Sequence, residues 1–318
     1  MIENTQTVLF GNGLNRLTPG NPSWEDLLTS IAKENLEKDI PNTLRYEAII
    51  VKQPYREEPA RLITADGKVL LDADGKVLYA AGEKVEDRLK KDIAERVSDF
   101  APNVAYDIVA DLPVEHFITT NYDNTLLKAK GILKKVERNR QERIYSIRRR
   151  YEWMSKNGLQ TYWPIHGNVD SPSSIMLGFD HYCGSLSKIE SYVKGNYEFP
   201  SGERIPSMAQ KLQMENKPAI YFWIDLFFFS DVHIIGLDLA YEEMDLWWIL
   251  NKRRRMKQKG DVVINNRIIY YPVAELSRDK RQLLNGFDVE IIDLENYSTL
   301  YMSRYKKQFD NIRANISA

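Results

Sequence analysis

The sequence predicts an α/β protein with a Rossmann-like, mostly parallel sheet and helices on both faces. Three observations predict this class. Short runs of continuous apolar residues recur along the chain, as in strands that are buried on both faces of a parallel sheet. Helical patterns lie between several of these runs. The runs stop at glycine or polar residues, and ligands of such sheets bind just beyond the strand ends.

The first run, Thr7–Phe10, stops at Gly11-Asn12-Gly13, which is typical of a buried strand that enters a tight turn. Ser23-Trp24-Glu25-Asp26 has the pattern of a capping box, because Ser23 can cap the amide of Asp26. A helix is therefore expected from there to about Leu36.

The region from Pro41 to Ala81 is predicted to form a small β-meander, because Asp-Gly-Lys-Val occurs twice, at 66–69 and 74–77. Helices are expected at Val85–Asp99, where apolar residues recur at every fourth position, and at Val104–Leu112. We therefore expect a single domain over residues 1–318, with an inserted lobe of hairpin and helix at 41–100.

The later apolar runs predict five more strands, at Phe117–Thr120, Tyr162–Ile165, Val232–Ile235, Arg267–Val273 and Val289–Ile292. The most apolar stretch, Ala219–Phe229, is interrupted by Asp225. It is about half of the ~20 residues that a membrane helix needs, so it is predicted to lie in the core and no membrane contact is expected.

Composition excludes several classes of protein. The 44 Lys and Arg residues nearly balance 45 Asp and Glu, so no global field attracts nucleic acid or a membrane. Cys183 is the only cysteine, which excludes an internal disulfide and any site built from four cysteines. A reducing cytoplasm is the expected location. Met1-Ile-Glu-Asn-Thr-Gln does not resemble the start of a signal peptide.

One local patch departs from this balance, because Lys134–Arg150 holds eight Lys and Arg against two Glu. Such a patch can contact nucleic acid phosphates. Ile144, Tyr145 and Ile147 interrupt it, however, and no repeated aromatic platform accompanies it. A solvated face is therefore favoured over contact with nucleic acid, and a surface for a partner or a second copy is as good an alternative as nucleic acid.

The polar residues after the predicted strands are weak signals when taken singly. Gly11 and Gly13 suit either a plain turn or phosphate binding, and Arg16 stands where the usual dinucleotide fingerprint has its third glycine. Asn121 and Asp123 could form an Asx turn or face a cleft. His166, followed by glycine, could be structural or catalytic.

Other reactive residues have weaker claims. His233 lies inside an apolar run and is predicted to be core, and His116, His181 and Cys183 have no supporting context. Glu242, Glu243 and Asp245 could form an acidic pair or a metal site. Since Leu246-Trp247-Trp248 follows, we expect them instead to begin a helix, where carboxylates favour the dipole.

Taken in order, these motifs resemble the sirtuin family of NAD-consuming enzymes. The resemblance lies in Gly11-Asn12-Gly13-Leu14-Asn15, Thr119-Thr120-Asn121-Tyr122-Asp123, His166-Gly167 and Gly236-Leu237-Asp238, the last with Asp in place of the family's Ser. Ser23–Leu28, Ile175–Tyr182 and Asp245–Trp248 are similar to the bacterial branch whose members hydrolyse NAD in anti-phage defence. The paired Cys-x-x-Cys zinc ribbon of the protein deacylases, and their Gly-Ile-Pro-Asp-Phe-Arg segment, are missing from the sequence.

The resemblance implies roles for individual residues. Asn121 would orient the ribose or the attacking water, Asp123 would bind the ribose or the nicotinamide side, and His166 would be the general base toward a ribose hydroxyl. The nucleotide-binding residues would be Gly11, Gly13, Asn15, Thr120, Gly236 and Asp238, with Asp238 on the adenosine ribose. No metal is expected.

The implied activity is an NAD glycohydrolase that releases nicotinamide and ADP-ribose, with NAD as substrate and with activity controlled by a second copy or a partner chain. Two alternatives stay open. One is a non-catalytic module that senses NAD or another nucleotide. The other is an NAD-dependent deacylase or ADP-ribosyltransferase.

Overall fold

A computed structural model of the chain describes residues 5–32, 40–53, 84–132, 136–138, 144–156, 158–199, 201–216 and 219–317, with residues 68, 71 and 73. The strands are β1 (Thr5–Phe10), β2 (His116–Thr119), β3 (Val136–Arg138), β4 (Arg150–Ser155), β5 (Gly158–Pro164), β6 (Ser230–Ile235), β7 (Ile268–Tyr271) and β8 (Glu290–Ile291). The helices are α1 (Trp24–Ala32), α2 (Asn42–Val51), α3 (Val85–Ser98), α4 (Val104–Ala110), α5 (Thr125–Ala129), α6 (Phe179–Lys194), α7 (Met208–Leu212), α8 (Trp223–Phe229), α9 (Met244–Lys259), α10 (Arg278–Gly286) and α11 (Tyr301–Ile316).

One mostly parallel sheet organises the described chain, in the order β3-β4-β5-β2-β1-β6-β7-β8. The strands from β5 to β8 in this order are parallel, whereas β3 and β4 extend the β5 edge antiparallel. Numbered among themselves, the parallel strands run 3-2-1-4-5-6, which is the order of doubly wound dinucleotide-binding sheets. The order reverses between β1 and β6, and a crevice is expected there.

The register aligns the carboxyl ends of the parallel strands. Phe10, the last residue of β1, pairs with Thr119 of β2 and Ile235 of β6. Thr119 in turn pairs with Pro164, the last residue of β5. The residues that follow these strands therefore emerge along one edge of the sheet.

Alternate strand residues enter two separate cores. Leu9, Ile118 and Ile234 pack with α6, α8, α9 and α10 on one face. Val8 and Phe117 pack with α4, α5 and α11 on the other. Helices thus cover both faces, as the α/β class predicts. The predicted core stretch Ala219–Phe229 contains α8, whose buried side chains belong to the first of these cores.

A third apolar cluster joins α1, α2 and α3 to the segment after the His166 motif. Leu28, Tyr46 and Ile93 are buried there with Ile175 and Leu177. Residues 42–51 are helical, so the prediction of a meander was wrong for this part. Residues 54–67, 69–70, 72 and 74–83, which include both Asp-Gly pairs, lie outside the described residues.

The six predicted strands and the helices at 85–98 and 104–110 are confirmed. The capping box is confirmed as well, since Ser23 Oγ accepts from Asp26 N at 3.1 Å and Ser23 N donates to Asp26 Oδ2 at 2.9 Å. β3, which lies inside the basic segment, and β4, which begins at the last residue of that segment, were both missed. In β4, the alternation of buried Tyr151 and Trp153 with more exposed neighbours is the period-2 signal that predicts a strand.

Candidate functional site

A cleft of about 690 Å³ opens at the carboxyl edge of the sheet. That volume is within the range of about 300–1,000 Å³ for small-molecule sites. Residues after β1, β2, β5, β6 and β7 line it, and the helices α1, α2 and α3 close one side through Leu27, Asn42 and Val97. Asn42 also donates to Glu242 Oε1 at 2.9 Å, which ties α2 to the rim.

Two glycine loops meet where the strand order reverses. Gly13 N donates to Gly236 O at 2.8 Å. A Cβ on Gly13 would lie 2.6 Å from that oxygen, and Gly236 has a φ of +65°. A Cβ on Gly11 would lie 2.7 Å from a methyl group of Leu237. Both loops therefore require glycine for close backbone approach, the property that phosphate loops use.

A buried network joins Asn15, Tyr106, Asn121 and Asp123. Tyr106 Oη donates to Asn15 Oδ1 at 2.7 Å and accepts from Asn121 Nδ2 at 3.2 Å. Asn15 Nδ2 donates to Asp123 Oδ2 at 2.8 Å. The side chain of Asn121, 7% exposed, is thereby oriented at the cleft wall. Tyr106 is a positioning residue that no sequence motif indicated.

Asp123 lines the cleft but is 3% exposed. Its Oδ1 accepts from Thr125 N at 2.9 Å, while Oδ2 accepts from Asn15. In this geometry the carboxylate holds the Asn15 loop against the β2 loop. Thr120, the first residue after β2, also lines the cleft. Its N–H donates to the carbonyl of Phe10, the last residue of β1, at 3.4 Å.

His166 is 1% exposed, and carboxylates from the start of α9 lie close to its imidazole. Nε2 lies 2.9 Å from Asp245 Oδ2. Because a carboxylate only accepts hydrogen bonds, Nε2 carries a proton, and Nδ1 is the basic nitrogen of the neutral ring. Nδ1 lies 3.4 Å from Tyr182 Oη and 3.7 Å from Glu243 Oε2, and both of these residues line the cleft.

The sequence predicted only part of what the three acids Glu242, Glu243 and Asp245 do. Glu243 and Asp245 do lie at the N-terminus of α9, as predicted. Asp245, however, is fully buried against His166, which a helix-dipole argument does not indicate. The contact spans 79 residues, so no local pattern predicts it.

The His166 imidazole and the neighbouring carboxylates change each other's pKa. Burial alone would lower the pKa of His166, but the Asp245 and Glu243 carboxylates outweigh burial and raise it. Burial raises the pKa of Glu243 to about 7, although His166 opposes this shift. The titrations of His166 and Glu243 are therefore coupled, because the charge on each group changes the pKa of the other.

Glu243→Gln is expected to stabilise the protein at pH 8 by on the order of 2 kcal/mol. With its pKa raised to about 7, Glu243 binds its proton more tightly in the folded state than in the unfolded chain. Its contribution to stability is present below the unfolded value and is lost as the pH rises through about 7. Gln stays neutral, so the gap in Tm between variant and wild type should widen from pH 5 to pH 8. Exposed Glu275→Gln is the control, and a gap that does not change with pH would contradict the assignment.

Asp238 lies on the β6 side of the cleft with 85% of its side chain exposed. The Lys280 ammonium donates to its backbone carbonyl and lies 3.5 Å from Oδ1. The exposed carboxylate is accessible to a hydroxyl group in the cleft, and the resemblance implies that it accepts from the adenosine ribose.

Two other histidines, His233 and His181, are hydrogen-bonded within the fold. His233 is fully buried, with contacts of 2.9 Å from Nδ1 to Tyr271 Oη and from Nε2 to Gln6 Oε1, which confirms that it is core. His181 Nδ1 accepts from the N–H groups of Leu177 and Gly178 and so caps α6. Cys183 is an exposed free thiol.

One group of side chains among the described residues could hold a cation. His166, Glu243 and Asp245 each offer one ligand atom, and these atoms lie within 4.8 Å of one another. The Nε2 of His166 is already bonded directly to Asp245, so the arrangement is satisfied as a hydrogen-bonded pair.

A scan against protein-family models finds no match to this chain, and a search of curated proteins finds no matching relative. No helix in the described part of the chain is long and apolar enough to cross a membrane. The fold and cleft define a Rossmann-like α/β protein with a polar site at the topological switch point. Its function must be inferred from the chemistry of that cleft.

Proposed function

We propose that the chain is an NAD glycohydrolase, which cleaves the bond between nicotinamide and ribose. The observation that carries this proposal is the convergence of Asn121, the His166–Asp245 pair and the two glycine loops on one cleft. Dinucleotides bind at this position in sheets of this strand order. The resemblance to sirtuin-like defence enzymes adds the expectation that the activity depletes cellular NAD.

The extent of the cleft favours a dinucleotide over a single nucleotide. His166 follows β5, whereas Val273, Ala274 and Glu275 line the other end after β7. Four strand spacings separate β5 from β7 in the sheet. At about 4.8 Å each, they span about 19 Å, enough for an extended dinucleotide. The nicotinamide ribose would lie at the His166 end and adenosine at the Asp238 end.

The reaction assigns each polar group a task. The C1′–N bond of the nicotinamide ribose breaks, its electron pair stays on the nicotinamide, and an oxocarbenium-like ribose forms. Asn121 would orient the ribose or the attacking water. Water forms the new C–O bond, and its proton passes to Nδ1 of His166, which then carries positive charge beside Asp245 and Glu243. These carboxylates would stabilise that charge.

A non-catalytic nucleotide sensor is the alternative of a different class. A binding module has no need for a buried imidazole with a carboxylate on each side, because burying such groups costs stability. The His166–Asp245–Glu243 arrangement therefore favours catalysis. For a deacylase or a protein ADP-ribosyltransferase, no contact among the described residues provides specific support.

Chromatography of NAD incubated with the purified protein tests the proposal. Wild type is expected to release nicotinamide and ADP-ribose in equal amounts. Asn121→Ala should cut the rate by roughly 10²-fold, because the ribose loses an orienting carboxamide at the reacting centre. Tyr106 still donates to Asn15 in this variant, so folding should be preserved.

Asn285→Ala, at an exposed position on α10, is the matched control and should retain wild-type rates. Inducing wild type and Asn121→Ala in cells, followed by NAD extraction, covers the case in which a partner must activate the protein. Intact NAD with wild type in both settings would refute the hydrolase proposal.

A further inference from the structure

The cleft presents an electrostatic problem for an anionic ligand. Six acidic side chains line it, namely those of Glu25, Asp123, Asp238, Glu242, Glu243 and Glu275. Among its described lining residues, Arg16 is the only lysine or arginine. A dinucleotide brings a diphosphate with two negative charges, so a positively charged group beside it would strengthen binding.

Arg16 stands directly after the glycine loop. It belongs to a 3₁₀ turn at Asn15–Leu17, and its N–H donates to Asn12 O at 3.1 Å, which fixes the backbone. Its side chain is exposed at the cleft, and no ion pair occupies its guanidinium among the described residues. A planar guanidinium of this kind can bind phosphate oxygens in a bidentate manner.

The structure also lacks the usual source of positive charge at this loop. In most dinucleotide sites a helix begins at the third glycine and directs its N-terminus at the phosphates. Here the next helix, α1, begins only at Trp24. Glu25 and Asp26 lie in its first turn, and Asp26 bonds Ser23 at the cap, so acids already offset this helix end.

We infer that Arg16 binds the diphosphate of the ligand and takes over the part that a helix N-terminus plays in other dinucleotide sites. The ligand class is a nucleoside diphosphate ester such as NAD or ADP-ribose. This inference rests on the proposed function, since it concerns the same cleft. It explains why arginine occupies the position of the fingerprint's third glycine.

Calorimetric titration with ADP-ribose, which has no nicotinamide bond to cleave, measures this role without turnover. Arg16→Ala should weaken ADP-ribose binding by about 10- to 100-fold, the range of a lost charge-assisted hydrogen bond to phosphate. Arg16→Lys should recover part of the affinity, because the charge remains but the bidentate geometry is lost. Adenosine, which lacks the diphosphate, should bind wild type and Arg16→Ala equally.

Arg255→Ala, at an exposed site on α9, controls for the loss of one positive charge, and Tm values confirm folding. If wild type binds ADP-ribose and Arg16→Ala binds it equally well, the inference fails while the proposed function stands. Equal weakening of adenosine and ADP-ribose would mean that Arg16 shapes the loop, which also overturns it. A wild type that neither binds ADP-ribose nor cleaves NAD would overturn both proposals.

Discussion

His166→Gln is expected to lower kcat for NAD cleavage by on the order of 10²- to 10⁴-fold. The glutamine carboxamide can still donate to Asp245 Oδ2, but it offers no basic nitrogen in place of Nδ1. KM should change much less, because in the proposed binding mode the glycine loops and Arg16 make most of the contacts with the nucleotide. Initial rates of nicotinamide release over a range of NAD concentrations separate the two constants.

His166→Ala provides a second measure of the same role. It leaves the Asp245 carboxylate buried without its partner, so a loss of stability should accompany the loss of rate. Added imidazole can enter the vacated space and should restore part of kcat. No rescue, together with a His166→Gln variant of near-normal kcat, would exclude His166 as the base.

His181→Ala is a matched control for these variants. His181 is also buried and lies 2.7 Å from a carboxylate oxygen of Glu86, but it caps α6 and does not line the cleft. Its removal should lower Tm while kcat stays within about threefold of wild type. The comparison separates the chemistry of an imidazole in the cleft from the general cost of deleting a buried one.

Strand ends were the most predictable feature of this chain, and the physics of parallel sheets explains why. Continuous apolar runs are needed wherever a strand is buried on both faces, so β1, β2 and β6 are visible in the sequence. Carboxyl ends of parallel strands share one edge, so Gly13, Asn121 and His166 could be placed at a common site before their distances were known. The register of Phe10 with Thr119 and Ile235 confirms that edge.

The partners of those residues could not be predicted, because they come from distant parts of the chain. Asp245 is an ordinary first-turn acid by local pattern, and only the packing of α9 beside the β5 loop brings it to His166. Tyr106 is one apolar-face residue of α4 by periodicity, yet its hydroxyl orients Asn121. Each contact forms only when two elements pack together in the tertiary structure, and no local sequence pattern indicates that these elements are neighbours.

Asp123 shows how a motif can be located correctly while its task stays open. The sequence places Asp123 two residues after Asn121, and the resemblance implies that it binds the ribose or the nicotinamide side of NAD. Both of its oxygens accept hydrogen bonds within the protein, so contact with a ribose would require one of these bonds to be exchanged. Its present contacts fit a residue that positions Asn15.

Asp245→Asn is expected to lower the plateau value of kcat by roughly 10²- to 10⁴-fold and to move the acidic limb of its pH profile to lower pH. Asp245 is a positioning residue, since it bonds Nε2 and so keeps Nδ1 unprotonated in the neutral ring. An asparagine can present its NH₂ group to the ring instead, which favours the tautomer with the proton on Nδ1. Nδ1 of His166 would then already carry a proton and could not accept one from water.

The direction of the pH shift follows from the charges around His166. The neutral ring is the active form, so kcat rises as the ring loses its proton, and the carboxylates raise the pKa at which this happens. The Asp245→Asn variant has no negative charge at this position, so only Glu243 opposes the effect of burial and the pKa of His166 falls. Exposed Asp310→Asn on α11 should leave the profile unchanged. A lower kcat with an unmoved acidic limb would limit Asp245 to a structural role, because a residue that only supports packing has no reason to shift the titration of the base.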